Sequence, residues 1–342
     1  VVRGPAVETP FALVPVLYIT DRQPLAAPQG KHQYFGGERI ASGVSYGRVL
    51  VRMPAEDHTI SSPVPSGVRI VYEANAHAGV SVPPPESFSR DQFTEYLRKY
   101  KQGLPTGAPT RVLLFVHGFN VTYADAVKSV ARLSFGLHVD TVPVALTWPS
   151  QGAVLKYWND EQNVETSIER LRPVLLWLVT HPDIDEVILV AHSMGARLVI
   201  RILSQLDLQM AQLPKLTRVA LAAADLNEPE IRGLWTRIHS LPAKGWLFYT
   251  SANDFALLAS AIVHANPPVG DSRAREFILP PVETIDASAV APRLRGYGHG
   301  YVTDNPLVRV DLRRWFAQNL AADRRGLTKD NQSGMTFWRI HN

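Results

Sequence analysis

The chemistry open to this chain centres on Ser193, in the segment Ala191-His192-Ser193-Met194-Gly195. A β-branched and aliphatic run, residues 187–190, leads into it, and a helical pattern, residues 196–203, leads away. A strand, a tight turn and a helix with serine at the apex lift the hydroxyl clear of a sheet as a nucleophile. The residues two before and two after such a serine must be small, because their Cβ atoms meet the neighbouring strand and helix. Gly195 satisfies this, and Ala191 stands where glycine is usual. The Met194 N–H, at the start of the helix, can stabilise an oxyanion. The plainer role for Ser193 is a helix N-cap. The literal GxSxG at Gly43-Val44-Ser45-Tyr46-Gly47 has no strand before it and no helix after it, so Ser45 is read as a decoy.

A serine hydroxyl needs a base to take its proton, and the base needs an acid to orient it. His299, in Gly296-Tyr297-Gly298-His299-Gly300-Tyr301, comes late in the chain on a loop whose glycines let it reach back. His264 is its rival, and His192 is set aside because adjacent side chains at a turn diverge. Asp254 follows the apolar run 246–251 and is the preferred acid, with Asp225 after residues 218–224 as the alternative. Either aspartate can instead cap the helix that follows. In His117-Gly118-Phe119-Asn120 the glycine lets the chain turn so that the Phe119 N–H faces the serine as a second oxyanion donor. His117 itself is read as holding that loop. Trp148, Tyr157 and Trp158 either line an acyl pocket or pack as core and loop. Residues 263–281, rich in proline and glycine, form a partial cover or a long connection.

These residues need a sheet whose strand ends all face one way. From residue 108 onward, apolar runs alternate with helical patterns, as βαβ units require. The runs 111–116, 142–148, 186–191, 218–224, 246–251 and 283–287 are expected strands. Thr122 followed by Asp125 is expected to cap a helix, Pro173 to kink another, and residues 304–320 to form an amphipathic last helix. The division expected is a β-leaning region over 1–107 supplying the first strands and loops of the same sheet, a core over 108–320, and a polar tail over 321–342. Within the first region, residues 11–20 read as an edge strand because of Pro15, and residues 21–45 read as loop.

Composition narrows the rest. With 342 residues, 46% hydrophobic and 19% charged, the chain can bury a large core. A net charge of +4 without a dense basic run argues against a nucleic-acid partner. The absence of cysteine excludes disulfides, a thiol nucleophile and thiolate-bound zinc. No metal-binding signature such as HExxH is present, so no metal is expected, and no apolar run is long enough for a transmembrane segment. A start at Val1 and a proline-rich opening lead us to expect an exported protein whose signal has been removed.

The segments Phe115-Val116-His117-Gly118-Phe119-Asn120-Val121, Trp148-Pro149-Ser150 with Gly152, Tyr157 and Asp160, His192-Ser193-Met194-Gly195, and Ser251, Asn253, Asp254, Ala256 and Leu257 resemble the α/β-hydrolase superfamily. Within it, the chain is similar to a bacterial esterase/lipase-like group catalogued as a domain of unknown function (DUF900-like). The resemblance extends to Tyr18-Ile19-Thr20-Asp21-Arg22 and Ser45-Tyr46-Gly47-Arg48-Val49, and so to most of residues 11–320. It implies an α/β fold with a sheet of about eight mostly parallel strands, a Ser-Asp-His triad and no cofactor. It says little about substrate. The expected activity is cleavage of a small-molecule or lipid-like carboxylic ester through an acyl-enzyme on Ser193. An amidase or peptidase with the same triad, or a non-catalytic binding protein on the scaffold, are the alternatives.

Overall fold

Apolar runs broken by turn residues give this chain its strands, and the amphipathic stretches between them give its helices. The computed structural model describes residues 8–30, 33–55, 64–74, 79–151, 157–206, 215–241, 243–264, 266–291 and 299–341. The N-terminal third holds β1 (Glu8–Thr20), β2 (Arg22–Gln29), β3 (Gln33–Arg39), β4 (Ser45–Pro54), β5 (Arg69–Ala74), β6 (Glu86–Phe88) and α1 (Arg90–Gly103). Then strands and helices alternate: β7 (Arg111–Val116), α2 (Tyr123–Leu137), β8 (Val142–Thr147), α3 (Tyr157–Thr180), β9 (Glu186–His192), α4 (Met194–Gln205), β10 (Leu216–Ala222), α5 (Glu228–Ile238), β11 (Gly245–Thr250), α6 (Phe255–His264) and β12 (Glu283–Asp286). The chain closes with α7 (Tyr301–Asp304), α8 (Pro306–Phe316), β13 (Thr328–Gln332) and β14 (Met335–Arg339).

One sheet of 12 strands runs through the described residues in the order β13-β14-β12-β11-β10-β9-β7-β8-β1-β4-β6, with β5 also on β1. From β14 to β1 every neighbouring pair is parallel, so the sheet is mostly parallel as expected, though it is larger than the roughly eight strands expected. The further four strands are antiparallel additions at its two sides. Strands β8, β9 and β10 are buried along almost their whole length, as sheets covered on both faces require. Alternate residues feed two cores. Val112, Leu114, Val187 and Leu189 meet α1, α3, α4 and α5 on one face. Leu113, Phe115, Ile188 and Val190 meet α2 and α8 on the other.

The connectivity fixes where a site can form. From β7 the chain steps outward to β8, returns to the other side of β7 as β9, and continues to β10, β11 and β12. Loops leaving the carboxyl ends of β7 and β9 therefore diverge to opposite faces and leave a crevice between them. Thr122 caps α2 as expected: its Oγ1 accepts from the Asp125 N–H at 3.2 Å. Helix α3 runs through Pro173.

Three local expectations need correction. β1 is not an edge strand: it pairs β4 on one side and β5 and β8 on the other. Pro15 falls between the last β5 partner, Leu13, and the first β8 partner, Leu17, so its missing N–H lies at a gap in the pairing. Residues read as loop after Asp21 form the β2–β3 hairpin. The C-terminal segment, read as a polar tail with only Phe337-Trp338 able to pack back, forms two strands: β13 pairs β14, β14 pairs β12, and Phe337 does pack into the fold.

Candidate active site

Ser193 follows β9 directly and has φ 54° and ψ −125°, a left-handed conformation that a non-glycine residue adopts only when its surroundings enforce it. Three hydrogen bonds do so. Its N–H donates to the Ala222 carbonyl at 2.9 Å, and its carbonyl accepts from Ala196 at 2.9 Å and Asp225 at 3.3 Å. A Cβ on Gly195 would lie 2.4 Å from the His117 carbonyl oxygen, so only glycine lets α4 pass this close to the β7 loop. A Cβ on Gly118 would lie 2.5 Å from the Ser193 Cβ, which means that the loop after β7 rests on the serine. Ala191 is fully buried between Val116 and Leu221, so its methyl group is accommodated. Met194 opens α4, and N–H groups in a first helical turn have no acceptor within the helix. Ser45, by contrast, opens β4, which pairs antiparallel with β1 and does not lead into a helix.

His299 and Asp254 are brought together. The His299 Nδ1 lies 2.8 Å and 2.7 Å from the two Asp254 oxygens. A carboxylate only accepts, so Nδ1 carries a proton, and in the neutral ring Nε2 keeps its lone pair. Nε2 is buried and has no hydrogen-bond partner among the described residues. Burial opposes charge on this ring, but the Asp254 charge and hydrogen bond outweigh it with help from Asp225, and the pKa is raised above the ordinary histidine value. Asp254 is fully buried, and its Oδ1 also accepts from Ala256 and Leu257, so it caps α6 as well as holding the imidazole. Its loop is tied to the segment after β12 by Ser288, whose Oγ accepts from Ala252 N at 2.7 Å and whose carbonyl accepts from Asn253 at 2.7 Å.

Asp225, the other candidate acid, is engaged elsewhere. Its carboxylate accepts from the Tyr157 hydroxyl at 2.7 Å and Ser260 at 2.5 Å and faces Arg197 at 3.7 Å. It does not cap the following helix either, because Asn227 does. His264 ends α6, but its side chain lies outside the described residues, as do Gly296, Tyr297 and Gly298 ahead of His299 and Gly152 after Ser150.

His117 holds the β7 loop. Its Nδ1 donates to the Gly118 carbonyl at 2.8 Å, leaving Nε2 to accept from the Trp148 N–H at 3.1 Å and from Arg22 Nη2 at 3.3 Å. Burial, followed by the Arg22 charge, lowers its pKa to about 3, so the ring is neutral. Trp148 stacks on it at 5.0 Å and donates its indole N–H to the His117 carbonyl at 2.8 Å. Trp148 is fully buried, in keeping with a packing role. Tyr157 is nearly buried and packs on the half-buried Phe119 ring at 5.3 Å, while Trp158 is 59% exposed. These three aromatic residues are thus spread from core to surface. Of the described residues in 263–281, Val269, Phe277, Ile278 and Leu279 are buried against the fold.

Sequence reasoning missed Arg22. It is fully buried and donates to the carbonyls of Gly36, Ser150 and Val121 at 3.0, 3.0 and 2.6 Å, besides His117. Burial lowers its pKa to about 10 against the pull of Asp21, Asp160 and Asp125. Asp160 completes the brace: it accepts from Ser150 Oγ at 2.5 Å and Gln151 N at 2.7 Å, and Ser150 Oγ accepts from Val121 N at 3.2 Å. A Thr-Asp-Arg sequence ending a buried apolar strand is the one signal that charge was being placed inside.

No group of three or more histidine, aspartate or glutamate side chains among the described residues is disposed to hold a metal, and no helix among them is long and apolar enough to cross a membrane. A family model described as an alpha/beta hydrolase of unknown function (DUF900) matches residues 92–312, well over half of the chain. No curated protein matches the chain. The matched stretch contains Ser193, Asp254, His299, Phe119 and Met194, whereas Arg22 lies outside it.

Proposed function

Since the chain belongs to this family of alpha/beta hydrolases of unknown function, we propose that it is a serine hydrolase cleaving carboxylic esters through an acyl-enzyme on Ser193. The observation that carries the reading is the His299–Asp254 pair, with Nδ1 at 2.7 and 2.8 Å from the carboxylate and Nε2 bare. A bare, buried Nε2 of raised basicity is what a neutral hydroxyl needs to lose its proton as it attacks. Ser193 Oγ adds to the ester carbonyl, and its proton passes to His299 Nε2. The imidazolium is stabilised by the neighbouring Asp254 side chain.

The new oxyanion accepts from the N–H groups of Met194 and Phe119. The Asn120 and Val121 N–H groups are committed to Asp160 and Ser150, which supports Phe119 as the donor from this loop. On collapse of the tetrahedral intermediate, His299 returns the proton to the departing alkoxide and the alcohol leaves. Water then attacks the acyl-enzyme with His299 again as base, releasing the acid and restoring Ser193. Replacement of Ser193 by alanine is expected to lower turnover of short p-nitrophenyl esters at least ~10³-fold. Unchanged turnover in a folded Ser193→Ala protein would remove the proposal.

A further inference from the structure

The histidine beside the nucleophile is drawn into the site by the fold. His192 is the last residue of β9, is nearly buried, and turns its side chain to the loop that carries His299. Its Nε2 lies 2.7 Å from the His299 main-chain carbonyl oxygen. That oxygen can only accept, so the His192 Nε2 carries a proton and donates it. The two rings also touch, with centroids 4.3 Å apart and planes inclined at 59°.

The His299 segment needs such a tether. Its imidazole is fixed through Nδ1 to Asp254. Two residues on, the Tyr301 hydroxyl donates to the Tyr249 carbonyl and accepts from the Ala223 N–H, both at 3.1 Å, which ties the start of α7 to the ends of β10 and β11. Neither contact fixes the peptide of His299 itself, about which the imidazole swings. The His192 donor does, and it does so from the residue that shares a peptide bond with Ser193. The position of the base is thereby referred directly to the strand that sets the nucleophile.

We propose that His192 is a positioning residue for the reaction: its Nε2–H, bonded to the His299 carbonyl, sets the place of the His299 imidazole relative to the Ser193 hydroxyl. This rests on the reading of Ser193 and His299 as nucleophile and base. A displacement of a base by about 1 Å costs on the order of 10²-fold in rate, with little effect on ground-state binding.

The test compares three variants. His192→Gln can place an amide N–H near the position of Nε2. His192→Asn carries the same group on a shorter arm, and His192→Leu keeps the bulk without a donor. Turnover of p-nitrophenyl acetate and the labelling rate of Ser193 by a fluorophosphonate are measured for each, with Ser193→Ala as the blank. The expectation is that His192→Asn and His192→Leu lose about 10- to 100-fold in kcat with KM changed less than about threefold, while His192→Gln stays within about fivefold of the wild type. Equal kcat in the Asn and Gln variants would overturn the inference even if the Leu variant failed to fold. So would wild-type labelling in a folded Leu variant. An unreactive wild type would instead sink the hydrolase reading itself, and the inference with it.

Discussion

Two histidines at the crevice show how one residue type is used in opposite states. His117 is enclosed by donors on its Nε2 side, bonded at both ring nitrogens, and kept neutral by burial beside Arg22. Among the described residues His299 is bonded at one nitrogen only, to a carboxylate, and the ring's basicity is raised. A fully bonded ring is a strut. A half-bonded ring beside a charge can exchange a proton. The number of partners and the sign of the neighbouring charge make the difference, since burial presses on both rings alike.

The contrast breaks first on activity. His299→Ala is expected to lower ester turnover at least ~10⁴-fold, while His117→Gln in a folded protein lowers it by no more than about 30-fold, through the loosened β7 loop. Comparable losses would mean that the two rings have not been told apart. Next comes the charge beside His299. Asp254→Asn is expected to cost about 10³-fold in kcat and to move the acid limb of kcat/KM to lower pH, because the carboxylate that raises the His299 pKa is gone. Asp225→Asn should cost less than about tenfold, since Asp225 adds only a secondary pull on that ring and is held by Tyr157 and Ser260. A reversed order would make Asp225 the working acid.

The smallest effect is on stability. Folded His117 takes its proton only near pH 3, against an ordinary value of 6.5. Between those values the unfolded chain binds more protons, so this group makes stability fall as the pH falls, by up to about 1.4 kcal/mol per pH unit. His299 has the opposite sign. Its folded pKa is raised, so its contribution is complete below pH 6.5 and is lost as the pH rises through the folded value. Denaturant melts between pH 4 and 6 should therefore show a shallower acid slope in His117→Gln than in the wild type. An unchanged slope would mean that the ring is not the buried neutral group described.

Much of this arrangement was written locally. The elbow follows from an apolar strand, a serine, a glycine two residues on and a helical pattern, because each constrains the chain within a few residues. The pairing of His299 with Asp254 follows from chain order along a parallel sheet, and Asp254 is already the preferred acid there, but chain order alone does not exclude Asp225. Both loops leave the same sheet edge, and only side-chain packing shows that Asp225 is occupied by Tyr157 and Ser260. His192 was set aside because side chains of neighbours at a turn point apart. The His192 ring nevertheless meets that of His299. Arg22 stayed hidden for a different reason: its partners come from residues 14 to 128 positions away, which no pattern in sequence brings together. The β2–β3 hairpin was missed because its residues alternate little between apolar and polar, and β2 is mostly exposed.

Reaction of the native protein with a fluorophosphonate, followed by mass spectrometry of the labelled peptide, bears most directly on the central idea that the bare nitrogen of His299 activates Ser193. One adduct per chain is expected, on the peptide containing Ser193 and lost in His299→Ala. No adduct from the folded protein, or an adduct on a different serine such as Ser45, would contradict it.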